Sequence, residues 1–425
     1  MSREMKDSGV EWIGEIPKDW KVCRIKNIFN RKNLKAKQEN PVILSLARSG
    51  VKIRDISTNE GQIAESYYNY NPVEPYDLLI NPMDLYSGAN CSCSKVAGVI
   101  SPAYINIRAK EEINPFYYDY YLKTQYWAKA LFAHGKGISY DNRWTLSVDM
   151  FMNYYVPLPT YNEQCKIADF LKEYCGYIDQ ISNKTRDSIN EFLNMKLAMI
   201  KQAVTKGIIK NRTLINTNVE WIGSIPEHWK VNRVANLYQE VSEKGNDELP
   251  ILTVSINNGV SDRELSDEES DRVFVRSEDR SKYKRVRPGD LTYNMMRAWQ
   301  GAFGAVRVDG MVSPAYVVAR PTKKLDSRYV EYLFRTPEAI EEMHRYSYGV
   351  ADFRLRLYWP QFKNIKMCVP PYEEQVEIAD YIDRKKVEID ALIHKKEQYL
   401  VELENYKKSL IYEYVTGKKE VPNNE

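Results

Sequence analysis

Cysteines, histidines and glycine-rich turns are the places where this 425-residue chain could do chemistry. The six cysteines (Cys23, Cys91, Cys93, Cys165, Cys175, Cys368) form no Cys-x-x-Cys pair, and the four histidines (His134, His228, His344, His394) are scattered. Neither set has zinc-site spacing, and no disulfide framework is expected at this length. A phosphate loop needs G-x-x-x-x-G-K-[ST], which neither Gly135-Lys136-Gly137 nor Gly417-Lys418-Lys419 supplies. No GxGxxG follows a strand-like run, and there is no GxSxG or HExxH. Methyl transfer to a base amine would use an Asn-Pro-Pro-aromatic motif, whose asparagine accepts the amine hydrogens. Asn81-Pro82-Met83-Asp84 lacks the second proline, and Val369-Pro370-Pro371-Tyr372 lacks the asparagine. Both read as strand-end turns. A long chain without nucleophile, metal cluster or phosphate loop is expected to bind or organise, not to catalyse.

The elements that would position a binding surface come twice. Residues 10–27 (VEWIGEIPKDWKVCRIKN) and 219–236 (VEWIGSIPEHWKVNRVAN) agree at twelve of eighteen positions, at an offset of 209. Gly50-Val51 returns as Gly259-Val260, Asp77-Leu78 as Asp290-Leu291, and SPAY at 101–104 as SPAY at 313–316. Glu163-Gln164 and Ile167-Ala168-Asp169 return as Glu374-Gln375 and Ile378-Ala379-Asp380. A repeated unit this long is a tandem duplication and not a solenoid.

Each copy has two parts. The first mixes short apolar runs such as DLLINPM and DLTYNMM with Pro and Gly turns and short helices, which predicts a mixed α+β domain. The second is a proline-free stretch, Glu163–Thr205 and Glu374–Thr416, closed by Gly207 and Gly417. Its apolar residues step by four and three: Ile167, Leu171, Tyr174, Ile178, Ile181, Phe192, Met195 and Met199 in one copy. The other has Ile378, Ile382, Ile389, Leu392, Tyr399, Leu403, Tyr406 and Leu410. A repeat of 3.5 residues predicts a coiled-coil seam, with Ile167, Leu171, Ile178, Ile181, Phe192, Ile378, Ile382, Ile389, Leu392 and Leu403 as its contacts. The domain reading is 1–160, helix 161–207, 208–371, helix 372–417, and a tail at 418–425.

The doubled VEWIG-x-IP-x-x-W, the doubled SPAY and the P-x-x-EQ-x-x-IAD helix start resemble the specificity subunits of type I DNA restriction–modification complexes, over the whole chain. The resemblance implies two target recognition domains, each reading half of a bipartite site in double-stranded DNA. The two long helices would pair antiparallel and dock two modification (methyltransferase) subunits, and two restriction subunits would complete the assembly. It implies no cofactor on this chain, with S-adenosylmethionine on the modification subunits and ATP and Mg on the restriction subunits. The other reading of the residues is a coiled-coil scaffold bridging two protein partners without DNA.

Base reading requires cations and amides on loops that differ between the copies. Two loop pairs qualify: 134–144 against 348–356, and Met83-Asp84-Leu85-Tyr86 against Met296-Arg297-Ala298-Trp299. They give Lys136, Tyr140, Arg143, Arg297, Arg354 and Arg356 as the DNA-binding candidates. The run Arg280, Lys282, Lys284, Arg285, Arg287 reads as a solvated face that could also track phosphates. A net charge of +3 excludes a uniformly basic coat. No apolar run reaches 18 residues and the N-terminus has no apolar core, so neither a membrane span nor a leader is read and a cytoplasmic protein is expected.

Overall fold

Apolar triplets such as Leu78-Leu79-Ile80 can be buried on both faces only where a sheet is covered on both sides. In the computed structural model, which describes residues 3–55, 64–83, 85, 90–137, 144–246, 248–265, 282–349 and 355–422, that is how they lie. The chain divides into unit 1, Met1–Thr185 with Glu397–Glu425, and unit 2, Arg186–Lys396.

Unit 1 holds an antiparallel four-stranded sheet in the order Phe29–Arg31, Ile105–Ala109, Leu78–Ile80, Cys91–Cys93. Leu78 and Ile80 face the main core with the helix Pro115–Trp127, while Leu79 faces a small lobe with Leu44, Val73 and Ile100. The hairpin Leu44–Ala47/Gly50–Ile53 belongs to that lobe. Unit 2 repeats the order with Tyr238–Val241, Tyr316–Pro321, Leu291–Asn294 and Phe303–Ala305. Its small lobe carries the hairpin Val254–Ser255/Gly259–Val260. Each SPAY is the turn into the central strand: Tyr104 N–H donates to Ser101 O at 3.1 Å, and Tyr316 N–H to Ser313 O at 2.9 Å.

Two long helices, Tyr161–Lys206 and Tyr372–Val415, contribute to both units. The partly and fully buried positions of the first include the series Leu171, Cys175, Ile178, Ser182, Thr185, Ile189, Phe192, Lys196, Met199, Ala203. Those of the second include Ile382, Lys386, Ile389, Ile393, Lys396, Leu400, Leu403, Lys407, Leu410, Tyr414. Both step by alternating fours and threes. In unit 1 Lys407 Nζ meets Asp179 at 2.6 Å and Phe170 packs on Tyr414; in unit 2 Lys196 Nζ meets Asp390 at 2.6 Å and Lys396 lies over the Phe192 ring. In each unit the paired segments are therefore antiparallel.

Ile167, Leu171, Ile178, Ile378, Ile382, Ile389 and Leu403 are buried, and Phe192 is half-buried. Ile181 and Leu392 do not lie in the seam. They stand 42% and 45% exposed, because the four-residue step from Ile178 and Ile389 lands on Ser182 and Ile393. Polar seam residues hid the phase: Thr185 satisfies its hydroxyl locally, donating to Ile181 O at 2.8 Å. Tyr174, Met195, Tyr399 and Tyr406 are exposed as well.

Candidate nucleic-acid interface

The duplicated motifs turn out to fix the frame. At the start of the first long helix, Glu163 accepts from the Trp20 indole N–H at 2.8 Å and from Arg3. At the start of the second, Glu374 accepts from Trp229 Nε1 at 3.1 Å, from His228 and from Arg212. Burial works against the Glu374 carboxylate, but hydrogen bonds from His228, Trp229 and Arg212 and the Arg212 charge hold its pKa below the ordinary value. The adjacent glutamines are two-headed. Gln164 accepts from Asn114 N–H at 2.9 Å and donates to Pro159 O at 3.0 Å, while Gln375 accepts from Asp326 N–H at 3.0 Å and donates to Pro370 O at 2.9 Å. Asn114 and Asp326 are themselves the N-caps of Pro115–Trp127 and Ser327–Phe334. From those helices Tyr117 donates to Val415 O at 2.8 Å and Tyr329 to Val204 O at 2.9 Å, so the last turn of a long helix is held in each unit.

The repeated aspartates are also structural. Asp77 is fully buried, accepts from Glu74 N–H and pairs with Lys32 and Arg108; Asp290 accepts from Arg287 N–H and pairs with Arg320. Sequence reasoning did not assign these acids, although their repetition between unlike loops was the available signal. The basic run is largely spent in the same way. Lys284 donates to Tyr316 O, Arg285 pairs with Asp309, Arg287 with Glu243, and Lys282 is partnered; Arg280 lies outside the described residues. Burial pushes the Cys23 and Cys175 thiols up to about 11, so neither is a thiolate near neutrality.

The candidate loops come together in pairs. In unit 1 Lys136 and Thr145 form an antiparallel bridge at the base of the 134–144 loop, and Leu146 N–H donates to Pro82 O at 2.8 Å beside the second loop. Trp144 is half-buried: its Nε1 donates to Phe132 O at 2.9 Å and its ring covers Gly135, where any Cβ would meet the indole at 2.5 Å. In unit 2 Tyr348 and Arg356 form the matching bridge, and Leu357 N–H donates to Met295 O at 2.9 Å. Lys136 and Arg356 are exposed and Arg297 is half-buried; among the described residues none of the three side chains has a hydrogen-bond or ion-pair partner. Tyr140, Arg143 and Arg354, with Asp84 and Tyr86, lie outside the described residues. Each unit thus presents a bridged base tied to the segment at Pro82 in unit 1 and at Met295, beside the Arg297 turn, in unit 2, with different side chains. No group of acids, histidines and cysteines among the described residues could hold a metal ion, and no helix among them is long and apolar enough to cross a membrane.

Comparison with known proteins matches residues 17–191 to the type I restriction modification DNA specificity domain. The chain is 24% identical to the type I restriction enzyme MjaVIII specificity subunit of Methanocaldococcus jannaschii, over 96% of this chain and 95% of that one. It is 25% identical to the EcoBI specificity subunit of Escherichia coli, over 98% and 90%. Among solved structures, a chain from work on complex assembly and conformational transition of the type I R-M system superposes with a TM-score of 0.67 at 13% identity, covering 95% of this chain and 99% of that one. The HsdS subunit from Thermoanaerobacter tengcongensis gives 0.52 at 14%, covering 95% and 98%. The family-model match lies in the first copy of the duplication, while the relatives and the solved structures span both, so over nearly its whole length the chain is similar to type I restriction–modification specificity subunits.

Proposed function

We propose that this chain reads a bipartite DNA sequence and directs the catalytic subunits of a type I restriction–modification complex to it, carrying out no catalytic step itself. The observation that carries the reading is the doubled frame. In both units a corresponding buried network, with Glu163 and Gln164 answering to Glu374 and Gln375 and Asp77 to Asp290, supports two adjacent segments whose side chains differ. Lys136 on one unit, and Arg297 and Arg356 on the other, are cations without a protein partner among the described residues, as contacts to phosphates or base edges require. Tyr140, Arg143 and Arg354 belong to the same loops by sequence.

In this reading 1–160 and 208–371 are target recognition domains, joined by an antiparallel coiled coil of 161–207 and 372–417. Outside the seam, Tyr174, Ile181, Tyr399 and Tyr406 of unit 1 and Leu392 of unit 2 are exposed, and in this reading they meet the two modification subunits. Those subunits bring S-adenosylmethionine, and two restriction subunits bring ATP and Mg. The complex works where the DNA is, in the cytoplasm.

The test is co-expression with candidate modification subunits followed by sequencing of methylated sites. Lys136→Ala should relax or weaken recognition at one half-site and Arg356→Ala at the other, each by roughly 1–3 kcal/mol if a base contact is lost. A folded chain that binds both partners yet methylates no defined sequence would support the scaffold reading instead.

A further inference from the structure

The small-lobe hairpins end in exposed polar residues for which packing gives no reason. In unit 2 the connection between Ser255 and Gly259 is Ile256-Asn257-Asn258, of which Ile256 packs on the small-lobe core while the two asparagines are exposed. In unit 1 it is Arg48-Ser49, between Ala47 and Gly50. The glycine that closes each tip is shared between the copies, with φ of +71° at Gly259 and +109° at Gly50, while the tip residues are not.

The backbone under each tip is held firmly. Arg335 donates through Nη2 to Ile256 O at 2.8 Å and to Asn257 O, and through Nη1 to Glu331 at 3.2 Å. Glu331 is buried and also accepts from Ala305 N–H at 3.2 Å on the central sheet. A Cβ on Gly259 would meet Glu331 Oε1 at 2.4 Å, so the clamp closes only on glycine. Asn258 N–H donates to Ser255 Oγ at 2.8 Å. In unit 1 Asn90 Nδ2 holds Ala47 O at 2.7 Å, with the Asp119–Lys123 pair at the place of Glu331–Arg335.

The tip continues the surface already described. The Ile256 carbonyl oxygen would lie 3.9 Å from a Cβ on Gly301, the residue that closes the Arg297 turn. That turn lies beside Met295, whose carbonyl accepts from Leu357 at the base of the other loop. A strip therefore runs from the hairpin tip through the turn to the Arg356 loop. The side chains of Asn257, Asn258 and Arg48 are exposed and, among the described residues, unpartnered.

We infer that these tips are a third base-reading element, and that the residue types set the base class: adenine for Asn257 or Asn258 in unit 2, guanine for Arg48 in unit 1. An asparagine amide carries the acceptor and donor that match adenine N6 and N7, and an arginine fork matches guanine O6 and N7. The inference rests on the DNA-recognition reading above. A clamped backbone with interchangeable exposed side chains is what lets one frame read different sequences.

The test uses the full chain assembled with its modification subunits and sequencing of methylated sites. Asn257→Ala with Asn258→Ala should lower the preference for adenine at one or two positions of one half-site by roughly 5- to 150-fold. Arg48→Ala should do the same for guanine in the other half-site. Asn257→Arg should move the preferred base toward guanine. Unchanged preferences in the tip variants, alongside altered preferences in Lys136→Ala and Arg356→Ala, would overturn the inference and leave the DNA reading standing. Uniformly weaker methylation with the same preferred bases would overturn it too, reducing the tips to phosphate contacts. If all of these variants methylate as the parent does, the DNA-recognition reading itself falls.

Discussion

Removing the Glu374 carboxylate tests whether the duplicated helix starts are the joints of the frame. The side chain is 11% exposed and accepts three donors, of which Trp229 Nε1 is buried. Glu374→Ala strands that indole N–H, which costs about 1–3 kcal/mol when no water can replace the acceptor. It also unpairs Arg212, at about 1 kcal/mol for a half-buried cation that can turn toward solvent, while the exposed His228 adds little. Relief of the carboxylate's own desolvation offsets part of this, so ~2–4 kcal/mol is expected. Glu374→Gln keeps an acceptor for Trp229 and should lose about half as much.

Native-state hydrogen exchange on peptides covering Arg212–Val231 reads the local opening free energy directly. The pH dependence has a fixed sign. Glu374 has a folded pKa below its unfolded one, so its contribution is complete above the unfolded value of 4.5 and fades as pH falls through the folded value. The difference between parent and Glu374→Ala should therefore shrink as the pH falls below 4.5 and through the lower folded value. A loss under about 0.5 kcal/mol, or one that ignores pH, would show that the motif is not a joint.

Two further outcomes follow from the helices. Leu171→Ala, fully buried, should cost about 2–5 kcal/mol in thermal or urea unfolding, while Ile181→Ala should stay within about 0.5 kcal/mol; equal effects would put the seam in the wrong phase. A heptad inserted after Asp179 and another before Lys407, which face each other, keeps the seam in step and adds roughly 10 Å, about three base pairs. The half-sites should persist with a changed gap or methylation should cease, and full activity at the original gap would mean that the helices do not set it.

The duplication and the two loop pairs were legible because identical anchors bracket unlike segments. The work of the anchors was not. Glu163 and Trp20 are 143 residues apart in the chain, and nothing local tells that one caps the other. The seam phase was misread where Ser182 and Thr185 replace apolar residues, since a pattern of apolar positions cannot register a buried hydroxyl that bonds its own helix. The basic run looked free because its acids, Glu243 just after the strand Tyr238–Val241 and Asp309 just before Gly310–Val312, are distant in sequence. The hairpin tips were missed because a strand pair as short as Val254–Ser255 and Gly259–Val260 carries no alternation to read.

The division of the chain has a consequence for how it is made. Unit 2 is a single continuous segment, Arg186–Lys396, whereas unit 1 needs Glu397–Glu425 to be complete. Tyr117 waits for Val415, 298 residues downstream, and Trp20 and Pro17 wait to pack on Gly417. During synthesis the first domain therefore emerges first but closes last, after the second has everything it needs. Its core residues Leu403, Leu410, Ile411 and Val415 arrive with the last turns of the second long helix, so until that helix is made the core of unit 1 lacks them and its apolar face is uncovered. Completion of unit 1 is thus coupled to synthesis of the segment that carries Leu403–Val415.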